Sequence, residues 1–114
     1  MECGTGWLPY WLHRMDEHYE SLGWMVPEIS MPPSEYFRRQ CFVSTEPGDS
    51  QVASVAKTIG AERILFASDF PHYDAVFPGA VQAFVNSTDL DGPTRKAILG
   101  ENAERLLGVG PTGR

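Results

Sequence analysis

The sequence predicts an α/β fold built on parallel strands, and three observations predict it. Two short β-prone segments, Cys41-Phe42-Val43-Ser44-Thr45 and Arg63-Ile64-Leu65-Phe66-Ala67-Ser68, are each closed by turn residues. Helical periodicities precede, separate and follow them, and that alternation implies crossover connections, which parallel strands require. The second segment is apolar over residues 64–67 without a break, the pattern of a strand covered on both faces.

The elements run in order from the N-terminus. After the loop Gly4-Thr5-Gly6, Leu8, Trp11 or Leu12, Met15, Tyr19 and Leu22 recur at three- and four-residue steps and share one helical face. His13, Asp16, Glu17 and Glu20 take the opposite face, and Gly23 stops the helix. Residues 24–33 carry three prolines and read as a surface loop. Ser34 is placed to cap a short turn over 35–40. The strand 41–45 ends at Glu46-Pro47-Gly48, and Asp49 or Ser50 caps the next helix. Val52, Val55, Ala56 and Ile59 give that helix its apolar stripe, and Gly60 ends it. The strand 63–68 comes next. Pro78 suits the first turn of a helix with Val81, Phe84 and Val85 on its apolar face. Asp91-Gly92-Pro93 starts another helix, broken at Gly100, and residues 102–107 form a last turn before a frayed tail over 108–114. Two strands, with a possible third before Gly4, are too few to close a sheet. The chain is therefore either a piece of a larger barrel or a domain that needs a partner to finish its core.

Composition narrows the function. The 114 residues suffice for one ordinary domain, and a formal charge of −6 disfavours nucleic acid and anionic membrane surfaces. No apolar run is long enough to span a bilayer, and the first residues lack the pattern of a signal peptide. Cys3 and Cys41 form no Cys-x-x-Cys pair and read as free thiols in a reducing cytoplasm. Neither has an adjacent histidine to activate it as a nucleophile. The segment 63–72 concentrates the chemistry. Pro71 forbids further strand pairing, so Asp69 falls at the carboxyl end of a buried strand, where α/β folds bind their ligands.

Several other residues invite functional readings. His72 is a candidate for contact with a substrate at the same mouth, and Glu2 would face it if a strand preceded that residue. Trp7, Tyr10 and Trp11 read as helix packing rather than a substrate platform. Arg38 and Arg39 read as surface charge or an ion pair rather than an anion site. Asn102 is expected to make structural hydrogen bonds at a helix start. Neither strand is followed by a glycine-rich phosphate loop, which disfavours a small doubly wound nucleotide-binding domain.

Three blocks also carry a resemblance. They are Gly6-Trp7-Leu8-Pro9-Tyr10 through Arg14-Met15-Asp16, then Pro33-Ser34-Glu35-Tyr36-Phe37-Arg38-Arg39-Gln40, then Ala67-Ser68-Asp69-Phe70-Pro71-His72 paired with Ile98-Leu99-Gly100-Glu101-Asn102-Ala103-Glu104-Arg105-Leu106-Leu107. In order and spacing the chain resembles the amidohydrolase-related family of metal-dependent TIM-barrel hydrolases and decarboxylases, which includes aminocarboxymuconate-semialdehyde decarboxylase. The resemblance implies that residues 1–114 are a single partial domain. It would be the C-terminal part, about three strand–helix units, of a (β/α)8 barrel with parallel strands. In the family the aspartate of the S-D-x-P block ends the eighth strand and serves the metal as ligand or as base, which implies catalytic and metal-binding roles for Asp69. A divalent ion, zinc first and manganese second, would lower the pKa of a bound water, and a nearby carboxylate can hold the ion or take the proton.

In the family the other ligands come from an N-terminal His-x-His (or Glu-x-His) and a mid-barrel histidine, and no His-x-His occurs here. The implied ion is therefore not expected to stay on this chain alone. Self-association, or pairing with a missing N-terminal half of the barrel, is expected. Decarboxylating members carry a histidine in an H-G-x-G context, where this chain reads Glu2-Cys3-Gly4-Thr5-Gly6. That departure favours a metal-dependent hydrolase acting on a C–N, C–O or C–C bond of a small molecule in the full-length parent. A catalytically incompetent, truncated or partner-dependent piece is the first alternative, and a decarboxylase is the second.

Overall fold

A computed structural model describes residues 4–110 of the chain. The possible strand before Gly4, the Glu2 candidate, the Cys3 thiol and the last four residues of the expected tail lie outside those residues. Helix α1 spans Leu8–Leu22, α2 Pro33–Gln40, strand β1 Val43–Thr45, α3 Val52–Ile59, β2 Ile64–Phe66 and α4 Ala80–Ser87. Helix α5, Gly92–Lys96, runs through a π-helical turn over Ala97–Glu101 into α6, Asn102–Leu107. The chain is thus mixed α/β.

β1 and β2 pair in parallel, with Val43 opposite Ile64, Ser44 opposite Leu65 and Thr45 opposite Phe66. The amide of Ala67 donates to the carbonyl of Thr45 at 2.9 Å and carries the pairing one step further. Helix α3 lies between the strands in sequence, which completes a β–α–β crossover. Both strands are shorter than the segments 41–45 and 63–68, and a 3-10 turn takes up Ala61–Arg63. Among the described residues neither outer edge of this two-stranded sheet has another strand beside it.

One apolar core joins the elements. Leu8 and Leu12 of α1 meet Val52, Val55 and Ile59 of α3, with Ile64, Phe84, Leu90 and Ile98 around them. Leu12 rather than Trp11 therefore takes the buried place in the stripe. Val55 and Ile59 lie four residues apart on the buried side of α3, as its periodicity requires. Phe84 of α4 is fully buried and meets Phe66 edge-on at 5.3 Å between centroids, so α4 seals the end of β2. Gly60 ends α3 at φ +94°, a backbone conformation that favours glycine.

Four local expectations are corrected. Ser34 does not cap α2. Pro32 holds the cap position, Ser34 lies inside the helix, and its amide donates to Asp16 Oδ1 of α1 at 2.9 Å. The carboxylate does this because Pro32 and Pro33 offer no side-chain acceptor and a free first-turn amide must find one. It also takes Asp16 off the solvent face. Pro78 is not in the first turn of α4, which starts at Ala80 behind Gly79 at φ +99°. Gly100 does not break the last helix, since the turn widens at Ala97–Glu101 and the helix continues. Tyr10 and Trp11 do not pack on the core. They are 68% and 52% exposed, while Trp7 lies against the core and its indole N–H donates to the carbonyl of Gly4 at 3.0 Å.

Two polar residues fasten the layers together, and a third caps a helix. Asp49 Oδ2 accepts from the amide of Thr5 at 2.8 Å, from the hydroxyl of Thr5 at 2.7 Å and from the hydroxyl of Thr45 at 3.2 Å. Its Oδ1 accepts from the amide of Gln51 at 3.0 Å, but Gln51 itself holds the cap position of α3 without a side-chain bond, so neither Asp49 nor Ser50 caps the helix as expected and Asp49 instead ties the loop before α1 to the end of β1. Asn102 is buried, and its side-chain amide donates to the carbonyls of Ala61 and Ile64, each at 2.8 Å. Its role is structural, but it anchors the last helix to the start of β2 from within a continuous helical run. Asp91 caps α5 by accepting from the amide of Thr94 at 2.8 Å.

Candidate metal centre

The parallel pairing sends the carboxyl ends of β1 and β2 to the same side of the sheet, and Asp69 lies three residues beyond the end of β2. Its backbone is left-handed, at φ +59°, and among the described residues no other non-glycine has a positive φ. Aspartate tolerates this region better than most residues, yet the conformation still costs free energy. The turn around it is built from local bonds. The amide of Phe70 donates to Ser68 Oγ at 3.4 Å, and the amide of His72 donates to the carbonyl of Asp69 at 2.8 Å. That second bond folds the chain back so that the His72 ring returns to the Asp69 carboxylate.

Asp69, His72 and Asp74 each offer a ligand atom, and these atoms lie within 4.8 Å of one another. His72 Nδ1 stands 3.5 Å from Asp69 Oδ2 and 2.5 Å from Asp74 Oδ1. The Asp69 and His72 side chains are about a third exposed, at 32% and 35%, and Asp74 is at 61%. The hydrogen bond from His72 holds the Asp74 carboxyl below the ordinary 3.8 of an aspartate, against a smaller opposing effect of desolvation. Phe70 and Phe77 stack at 4.3 Å beside the loop, and Tyr73 lies against the His72 ring at 4.8 Å.

Two carboxylates and an imidazole are the donor types that suit zinc or manganese. The distances assign them different parts. Two ligands about 2.1 Å from one ion at right angles stand about 3.0 Å apart, so the 3.5 Å between Asp69 and His72 is a spacing that a shared ion can bridge. The 2.5 Å contact between His72 and Asp74 is too close for that and is a hydrogen bond. Both distances are measured at Nδ1, so that nitrogen serves either an ion shared with Asp69 or the hydrogen bond to Asp74, and not both at once. The donors fit an ion, but as a partial set: a catalytic centre uses three or more protein ligands.

Asp69 and His72, the two candidates that the sequence singles out, have their side chains set side by side by the fold. Asp74 is the member that sequence reasoning missed, although the spacing His-x-Asp was the available signal. Arg38 bonds Glu35 at 2.6 Å and Ser34 at 3.2 Å, and Arg39 lies over the Tyr36 ring, which keeps both in surface roles. Cys41 is a free thiol. Among the described residues no helix is long and apolar enough to cross a membrane.

The profile of the amidohydrolase family matches residues 1–109, and the chain belongs to that family. Solved structures agree. The chain superimposes on 5-carboxyvanillate decarboxylase from Sphingomonas paucimobilis with a TM-score of 0.71 and 28% identity, over 90% of this chain and 31% of that one. Against an amidohydrolase from Mycobacterium avium subsp. paratuberculosis the values are 0.68 and 25%, over 91% and 26%. Against a dihydroxybenzoic acid decarboxylase from Polaromonas, solved with bound manganese and the inhibitor 2-nitroresorcinol, they are 0.63 and 26%, over 92% and 32%. The chain thus spans about a third or less of the length of these structures. No curated protein matches the sequence.

Proposed function

We propose that Asp69 is this chain's contribution to the divalent-metal centre of an amidohydrolase-family enzyme, a metal-dependent hydrolase of a small molecule. Here 1–114 is one partial domain of a (β/α)8 barrel, and the remaining ligands belong to barrel segments that these residues do not contain. The observation that carries the reading is the left-handed Asp69 at the carboxyl end of β2, with His72 Nδ1 at 3.5 Å from its carboxylate. An ion bound there supplies Lewis acidity and brings the pKa of a bound water towards about 7. Asp69 then either holds the ion through one carboxylate oxygen or takes the proton from the nucleophile. His72 stands where it touches the substrate, or where it completes the ligand set by giving up its Nδ1 bond to Asp74. Zinc is the first assignment, and the manganese in the Polaromonas decarboxylase makes that metal the second.

A second reading is favoured by the decarboxylases among the solved relatives, which act on carboxylated hydroxyaromatic acids by their names. In that reading the same centre polarises a phenolic substrate for loss of carbon dioxide. The stretch Glu2-Cys3-Gly4-Thr5-Gly6, without the histidine of the H-G-x-G context, supports the hydrolase instead.

Titration of the 114-residue chain with Mn2+, read by the loss of free-ion paramagnetic signal, tests the centre. Weak binding that disappears in Asp69→Asn is expected, because that change removes the charge and keeps the shape. The ion should also be lost on dialysis, since two donors do not hold it. Binding equal in wild type and Asp69→Asn, or an ion retained at one per chain after dialysis, would overturn the assignment.

A further inference from the structure

Two carboxylates face a single ring nitrogen in the loop after β2. His72 Nδ1 is 2.5 Å from Asp74 Oδ1 and 3.5 Å from Asp69 Oδ2. A nitrogen of a neutral imidazole either carries a hydrogen and donates it, or carries a lone pair that accepts or ligates. A carboxylate only accepts, so the bond to Asp74 puts the hydrogen on Nδ1 and leaves that atom no lone pair for an ion. The backbone on both sides of the ring is fixed. The amide of His72 donates to the carbonyl of Asp69 at 2.8 Å, and the amide of Ala75 donates to the carbonyl of His72 at 3.1 Å, closing a turn that carries Asp74. Which carboxylate Nδ1 serves is therefore decided by side chains, without moving the loop. The two are unequal, since Asp69 is about a third exposed and Asp74 is 61% exposed. Water can replace the partner of Asp74 at little cost.

We infer that Asp74 is a latch on His72, a positioning residue that withholds Nδ1 from the metal centre until its own bond is given up. The inference rests on the reading of Asp69 as a metal residue. With the latch closed the chain offers the ion one donor, Asp69. Opening it takes three linked changes. Nδ1 gives its hydrogen to water, Nε2 takes one from water, and the Asp74 carboxylate turns to solvent. The ring stays neutral, no net proton is released, and Nδ1 then carries the lone pair across the 3.5 Å from Asp69 that a shared ion can bridge. The opposite role is an outer carboxylate that supports a histidine ligating through its other nitrogen. In that role Nε2 would be the atom turned to Asp69, whereas Nδ1 is the atom at bridging distance. The two roles differ in sign: removing a latch tightens binding of the ion, and removing a support weakens it.

Mn2+ titration of the full 114-residue chain tests the latch, with the nitrogen-15 shifts of the His72 ring as a second readout. Asp74→Asn removes the charge and keeps an oxygen that accepts from Nδ1, whereas Asp74→Ala removes the acceptor as well. Comparing these two variants cancels the loss of charge near the ion. Asp74→Ala should bind Mn2+ about three- to tenfold more tightly than Asp74→Asn, the net strength of one hydrogen bond. The difference should vanish when His72→Ala is added to both. Equal or weaker binding by Asp74→Ala would overturn the inference, as would a difference that persists without His72. The ring measurement needs no ion. At a pH well above the about 6.5 of an ordinary imidazole, the hydrogen should sit on Nδ1 in wild type, and Asp74→Ala should lose that preference. A hydrogen found on Nε2 of the wild type would sink the latch alone. Mn2+ binding indifferent to Asp69→Asn would sink the reading on which it rests, and the latch with it.

Discussion

Asp69 shows how one residue can spend conformational energy on position. A carboxylate at φ +59° is an expensive way to turn a corner, and glycine would do it at less cost. Asp69→Gly should therefore leave the urea midpoint of the chain unchanged or raise it while abolishing Mn2+ binding. Loss of both together would mean that the carboxylate holds the loop rather than an ion. Asn102 is the opposite case, a polar side chain kept for structure. Asn102→Ala leaves two carbonyls without their donor and is expected to destabilise the chain by about 2 kcal/mol, read by urea unfolding. Asp91 gives a pH dependence. The amide of Thr94 holds its carboxyl below the ordinary 3.8, with a further lowering by the Thr94 side chain. A depressed folded-state value means that its stabilisation is present above the unfolded pKa and fades as pH falls through the folded one. Wild type and Asp91→Asn should thus differ in midpoint at neutral pH and converge as the pH falls through that depressed value. A constant gap across that range would rule the effect out.

At the scale of elements, the helices are built from one another more than from their own ends. Helix α2 begins with two prolines and borrows its cap from Asp16, eighteen residues earlier on α1. Asp16→Ala should cost about 1 kcal/mol and raise amide exchange first at Ser34, even though Asp16 lies outside α2. Exchange that rises only within α1 would assign Asp16 to its own helix. The crossover from α3 to β2 turns on Gly60. Alanine there would sit at φ +94° with its methyl against the Glu62 carboxylate, so Gly60→Ala should lose about 1–3 kcal/mol in the same assay. The π turn before α6 has a comparable consequence. One residue absorbed in a turn rotates the rest of the helix by about 100°, and Asn102 is thereby set against β2.

At the scale of the molecule, the core is small and leans on α4. Phe84 touches Phe66 and fills the space over β2, so Phe84→Ala should remove about 3–5 kcal/mol, enough to unfold much of the chain at room temperature by near-ultraviolet dichroism. The radius of gyration, 16.0 Å, exceeds the about 13 Å of a compact domain of this length. An open two-stranded sheet with helices along it accounts for that extension. The alternation of helix and strand, the stripe of α3, the stop at Gly60 and the place of Asp69 beyond β2 were all legible in the chain. Each depends on local periodicity or on a residue whose backbone preference acts alone. The cap that Asp16 lends to α2, the continuous helix through Gly100, the solvent face of Trp11 and the pairing of His72 with Asp74 were not legible. Each depends on what lies beside it in space, and a side chain's partner is chosen by packing that sequence spacing does not encode. The sequence by itself determined the order of the elements and the place of Asp69 beyond the carboxyl end of β2. The tertiary structure alone decided which donors meet there and which apolar face was left open, because both depend on distances that packing sets.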